Sequence, residues 1–219
     1  MAAPFVILAN NPEAIATHRT LPLPHHAVLI FAIEETAMST KARATAHDLS
    51  QVPDNRKAEI VNGEIVLMSP TGAKAGRAGF NIAVSLRGHE KPGKPGYAFG
   101  DNVGFLVKLP DRDSFSPDAA WYVGNIDSMS FLRGAPIFAA EVRSEYDYGP
   151  RAEEAIAKKI RDYFSAGTGV VWDVDLMSKD VVRVYRATDP ENPTIYRRGD
   201  IAEAEPAVPS WRMPVDDLF

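Results

Sequence analysis

The sequence predicts an α/β protein of the α+β kind, in which a mixed central β-sheet is flanked by helices and accompanied by an N-terminal hairpin and C-terminal strands. Three observations carry this. Two stretches, near residues 75–89 and 150–166, repeat their apolar residues with the 3.6-residue period of a helix. Between and after them lie short runs rich in Val, Ile, Phe, Trp and Tyr, bounded by Gly, Pro, Asn and Asp. The resulting order of helix, strands, helix, strands calls for helices packed against a sheet.

The elements follow in order. Residues 45–51 read as a short helix before the Pro53-Asp54-Asn55 turn. KAEIVNGEIVLM (residues 57–68) reads as a hairpin, because Asn62-Gly63 suits a two-residue turn with positive φ at both positions. On the 75–89 helix, Ala75, Ala78, Gly79, Ile82 and Leu86 share one face, with Lys74, Arg77, Asn81 and Ser85 opposite. Gly88 to Gly96 (GHEKPGKPG) is a loop. Strands are expected at 97–107, 117–123 and 137–144, then a helix over 150–166 ended by Gly167 and Gly169, then strands at 170–175, 181–186 and 194–197. Residues 1–37 show no sustained periodicity. They are expected to be a disordered extension or to precede the true start at Met38, leaving 38–219 as a single domain.

Composition narrows the function classes. With 219 residues, 45% hydrophobic and 24% charged, the chain has the make-up of an ordinary globular domain. It has no cysteine, which excludes disulfides and thiolate metal sites and fits a cytoplasmic location. The formal charge of −5 argues against broad coating of nucleic acid but leaves room for a local basic groove. Its longest N-terminal apolar run, Ala27 to Ile33, is far shorter than the roughly 20 residues of a membrane span, so no membrane partner is expected. The five histidines lack zinc-ligand spacing, and neither a P-loop nor a serine-nucleophile signature is present.

Glu141 stands out. In IFAAEVRS, alternation puts Ile137, Ala139, Glu141 and Arg143 on one face and Phe138, Ala140 and Val142 on the other. Either the strand runs out into solvent with Glu141 and Arg143 paired, or the acid serves a site at the strand's end, where ligand sites of α/β sheets lie. Asp118, in SFSPDAAWYV, reads alone as a turn residue after Pro117. It also opens the strand that precedes the Glu141 strand, and sequential strands often neighbour one another, which would bring both carboxylates to one rim. On the second helix, Ala152, Ile156, Lys159, Tyr163 and Ala166 form one stripe, so Lys159 lies on the face meant for the sheet, while Lys158 falls on the polar side. A lysine there either snorkels to the domain's edge or pairs with carboxylates, of which Glu141 and Asp118 are the candidates. Two carboxylates and an ammonium at one rim suit metal-assisted phosphodiester hydrolysis with Mg2+ or Mn2+, hard ions that take carboxylate oxygens and keep several waters.

The Pro117-Asp118 pair, Glu141-Val142-Arg143-Ser144, and Lys159 with Tyr163 four residues on resemble the PD-(D/E)XK nuclease superfamily. More closely, AEIVNGEIVLMSPTG (58–72), FGDNVGF (99–105), AGTGVVWDVD (166–175) and WRMPVDDLF (211–219) resemble the Uma-type family of putative restriction endonucleases. The resemblance runs from about Thr45 to the C-terminus. It implies a restriction-endonuclease-like core, Asp118 and Glu141 as metal ligands, and Lys159 as the catalytic lysine, moved to the helix from the superfamily's usual place, which here is Arg143. Arg143 would then hold a phosphate oxygen, and Glu59 would support the site or be a plain surface-strand glutamate. The implied partner is nucleic acid, DNA being the expected form, with a homodimer suited to cutting two strands. Two departures bear on activity: Ala75 stands where many family members carry histidine, and Ser144-Glu145 replaces a serine-proline, adding the acids Glu145 and Asp147 nearby. The alternative is a catalytically inert nuclease-fold protein that acts as a nucleic-acid-binding or homodimeric interaction module.

Overall fold

The structure, a computed structural model, describes residues 42–219. The expectation for residues 1–37 lies outside the described residues. Residues 42–219 belong to one compact unit. In chain order its elements are α1 (Ala46–Ser50), β1 (Ala58–Val61), β2 (Glu64–Leu67), α2 (Ala73–His89), β3 (Tyr97–Phe99), β4 (Phe105–Leu106), β5 (Ser114–Phe115), β6 (Ala119–Tyr122), β7 (Leu132–Arg133), β8 (Phe138–Val142), α3 (Pro150–Ser165), β9 (Val170–Val174), β10 (Val182–Arg186), β11 (Asp189–Tyr196), β12 (Ile201–Glu203) and β13 (Arg212–Pro214).

Local chemistry explains most boundaries. Thr45 caps α1 reciprocally: its hydroxyl accepts from the Asp48 N–H, and the Asp48 carboxylate accepts from the Thr45 N–H at 2.8 Å. Asn62 and Gly63 take φ of 53° and 73°, the pair of positive values that a tight β1–β2 hairpin needs. The strand expected over 97–107 is instead broken into β3 and β4, because Asn102 adopts φ 62° in an intervening turn. Pro150 occupies the first turn of α3, where a missing N–H costs nothing, and Gly167 at φ 103° follows its end.

Six strands form the main sheet in the order β11-β10-β9-β8-β6-β3. Among the described residues its only parallel pair is β8–β9, and α3 supplies the crossover that such a pair requires. Both faces are covered. On one face, Ala78, Ile82 and Leu86 of α2 pack with Trp121, Phe138 and Trp172, joined by Trp211 near the C-terminus. On the other, Ile160 and Tyr163 of α3 pack with Ala139, Val171, Phe105 and Phe115. The predicted apolar face of α2 is buried as read. Its supposed solvent side is partly used, however. Asn81 donates to the Asp217 carbonyl and Ser85 accepts from the Trp211 indole N–H, fastening the C-terminal segment to the helix. Among the described residues no helix is long and apolar enough to cross a membrane.

Candidate active site

The register of two strands assembles the first pair of carboxylates. β6 and β8 run antiparallel with Ala119 opposite Ala140 and Ala120 opposite Ala139. The residue before β6 is therefore level with the fourth residue of β8, and Asp118 meets Glu141 at one rim. Two hydrogen bonds fix the meeting: the Asp118 N–H donates to the Ala140 carbonyl at 3.1 Å, and the Val142 N–H donates to Asp118 Oδ2 at 2.8 Å. Gly79 of α2 lets the helix come close here; a Cβ on it would lie 3.3 Å from the Asp118 Cβ. Ala75, Gly79 and Phe80 of α2, with Asp101 and Asp118, line a cavity of about 100 Å³ beside the site.

From the other side of the rim, α3 presents Lys159. Its Nζ lies 2.9 Å from Glu141 Oε1 and 3.0 Å from Glu59 Oε1, so the lysine joins two glutamates from different sheets. Glu59, only 2% exposed, is no surface-strand residue. Its Oε1 also accepts from the Ser116 N–H at 2.8 Å, and its Oε2 pairs with Arg112, which reaches on to Asp162 at 3.0 Å. Glu141 Oε1 accepts a 2.6 Å hydrogen bond from the Tyr163 hydroxyl, and the Tyr163 ring stacks on Phe115 at 4.0 Å. Lys159 and Tyr163 lie four apart on α3, one turn of one face, which explains why both reach the same carboxylate. Losing the Tyr163 hydroxyl would leave Glu141 with one donor fewer; Tyr163→Phe is expected to lower stability by about 1–2 kcal/mol in thermal melts.

The titration shifts follow from burial and neighbours. Burial pushes the Glu141 carboxyl up, and the charges of Asp118 and Glu59 add to this against the pull of Lys159. Burial would also raise Glu59, but Lys159, Arg112 and the Ser116 N–H outweigh it and hold that carboxyl below its usual range. Burial disfavours charge on Lys159 too, yet Glu141 and Glu59 prevail and raise its pKa well above the ordinary lysine value.

Lys57 was not foreseen. Standing just before β1, its Nζ lies 2.7 Å from Asp118 Oδ1 and 2.6 Å from Asp101 Oδ1. Nothing in the local pattern distinguishes it from a hairpin-flanking surface lysine. Arg112 escaped notice for the same reason: it lies in the β4–β5 turn, and only the tertiary fold carries it to Glu59.

Arg143 bonds away from Glu141. It was expected to face a phosphate, or to pair with Glu141. Instead its guanidinium is bound at 2.7 Å to both oxygens of Asp173 on β9, and also to Glu153 in the first turn of α3. With four of its five N–H groups so engaged and its side chain 6% exposed, it ties α3 to the sheet. Asp147 accepts from the Ser144 N–H at 2.7 Å, a local turn bond, and Glu145 is exposed. Arg87, in the last turn of α2, pairs with Glu90.

Among the described residues no three carboxylates or imidazoles gather as a ready cage for a divalent ion. Asp118 and Glu141 offer hard oxygens at one rim, and the contacts of Glu141 with Tyr163 and Lys159 both fall on Oε1, which among the described residues leaves Oε2 for a further partner. One or two carboxylates with waters suffice for Mg2+, so two hard oxygen donors from neighbouring strands at one rim fit the ion.

The sequence pattern of the Uma2 family, described as "Putative restriction endonuclease", matches residues 44–216. The chain belongs to this family. No curated protein matches it. Among solved structures it is similar to one titled a putative nuclease belonging to DUF820 from Anabaena variabilis. The TM-score is 0.63 at 17% identity, over 80% of this chain and 97% of that one. At that identity the likeness speaks for the fold, and the Uma2 fold here is a nuclease-like mixed sheet between helices.

Proposed function

We propose that this Uma2 protein is an endonuclease that hydrolyses phosphodiester bonds of nucleic acid, DNA being the expected substrate, with Mg2+ or Mn2+ as cofactor. The observation that carries the reading is the convergence of Asp118, Glu141 and Lys159 from β6, β8 and α3 at one sheet rim, with Lys159 Nζ 2.9 Å from Glu141.

Asp118 and Glu141 are the residues that would hold the ion, which supplies Lewis-acid charge and an acidified water when bound. Lys159 is anchored by Glu59 and Glu141 through two of its three N–H groups, leaving the third for a phosphate oxygen or the attacking water. Paired with two carboxylates that favour its charged form, it is placed to act as a donor to the negative charge that builds on the phosphoryl oxygens. Tyr163 and Lys159 hold Glu141 from the α3 side, and the Val142 N–H holds Asp118 from the strand side. Glu59, fixed by Arg112 and the Ser116 N–H, positions Lys159. In hydrolysis, water oxygen bonds to phosphorus, the bond from phosphorus to one ester oxygen breaks, and that oxygen departs as an alcohol.

The test is incubation of the protein with supercoiled plasmid and with single-stranded DNA and RNA pools, in Mg2+, Mn2+ or EDTA. Cutting that depends on the metal supports the reading and names the substrate. A folded protein that cuts none of them and binds no Mn2+ would instead be the inert nuclease-fold scaffold. A homodimer belongs to the same proposal, since two sites related by a twofold suit two antiparallel strands. Light scattering on the eluting protein reads it directly.

A further inference from the structure

The Lys57 ammonium sits where a cation is wanted. It bridges Asp118 Oδ1 at 2.7 Å and Asp101 Oδ1 at 2.6 Å. The other Asp118 oxygen is turned to the β8 backbone, where the Val142 N–H holds it at 2.8 Å. A divalent ion approaching Asp118 therefore meets an oxygen that already carries a positive charge, and the two cations repel at that range. The lysine's two partners differ. The Asp118 side chain is 13% exposed, whereas that of Asp101, in the turn between β3 and β4, is 51% exposed. An ammonium on a flexible four-carbon stem can stay with Asp101 while giving up Asp118.

We propose that Lys57 is a tethered stand-in for the metal ion: it neutralises Asp118 in the metal-free protein and withdraws to Asp101 when a divalent cation binds. This rests on the reading that Asp118 and Glu141 hold the ion, and goes beyond it by making Lys57 a competitor that sets the ion's affinity and Asp101 the acceptor that makes its withdrawal easy. The device keeps a buried-rim carboxylate paired at all times, since an unpaired one would be costly. Metal affinity is then lowered by the fraction of molecules in which Lys57 still occupies Asp118.

The experiment is a double-mutant cycle read by calorimetric titration with MnCl2, without substrate, on wild type, Lys57→Met, Asp101→Asn and the double variant. Lys57→Gln serves as a second form of the lysine change, and circular dichroism checks folding throughout. Lys57→Met is expected to tighten Mn2+ binding roughly tenfold, the gain if the lysine occupies Asp118 about nine-tenths of the time. Asp101→Asn is expected to weaken binding severalfold, because the displaced ammonium loses its alternative partner. The deciding feature is coupling: Asp101→Asn should have little effect once Lys57 is absent. A plain change in local charge would give additive effects, with Asp101→Asn weakening binding equally in both backgrounds, and that result would overturn the proposal. So would unchanged or weaker binding in both Lys57→Met and Lys57→Gln. Mn2+ binding only by the Lys57 variants would support it. Absence of binding by every form would overturn it together with the metal-site reading, whereas binding by wild type that Asp118→Asn abolishes preserves that reading whatever Lys57 does.

Discussion

Removal of the Glu59 side chain, as in Glu59→Ala, is expected to lower folding stability by about 3–5 kcal/mol, the cost of breaking a buried ion pair from one side. The size follows from what is left behind. Glu59 is buried between Arg112 and Lys159, and its loss leaves Arg112 with Asp162 alone and Lys159 with Glu141 alone, in a region closed by Phe115 and Tyr163. The Ser116 N–H loses its acceptor as well. Urea denaturation at neutral pH checks the value, and a loss below about 1 kcal/mol, as for a surface pair, would contradict it. The pH dependence has a definite sign. A carboxyl whose folded pKa is held down contributes stability that is fully present above its unfolded value of about 4.3 and is lost as pH falls through the folded value. The gap between wild type and Glu59→Gln should thus be full at neutral pH and shrink only below that range.

The second large effect is on catalysis. Glu141→Ala is expected to reduce metal-dependent cleavage to background, because it removes one of the two carboxylates at the rim and leaves Lys159 with Glu59 alone. Lys159→Met should reduce it by roughly 10²–10³-fold, the usual cost of losing one donor aimed at developing charge. Lys159→Met also takes one partner from each of two glutamates, so its Mn2+ affinity and its melting temperature must be recorded beside its rate. The expected pattern is bound metal with a collapsed rate. Loss of rate and metal binding in parallel would instead make Lys159 a support for Glu141.

The sequence foretold the placement of several residues for reasons that can now be stated. The face of α2 that packs on the sheet and the position of Lys159 on α3 are matters of helical period, which is local. The meeting of Asp118 and Glu141 needed one further inference, that sequential strands pair, and β6 and β8 do. The limits are equally physical. Alternation gave the correct side of β8 for Arg143 but could not tell which neighbour on that side it would choose, and Asp173 on β9 lies nearer its reach than any site ligand. Lys57 and Arg112 flank short strands in irregular segments, where no periodicity marks a residue as inward-facing. The strand over 97–107 failed because Asn102 turns the backbone, an effect with no hydrophobic signature.

The most direct measurement is the initial rate of plasmid cleavage at saturating MnCl2 by wild type, Asp118→Asn, Glu141→Ala and Lys159→Met, each shown to be folded. The account predicts cutting by wild type that EDTA stops, and little or none by the three variants. Cutting by Glu141→Ala at the wild-type rate would contradict it, because the rim where β6, β8 and α3 converge would then not be the place where the bond is broken.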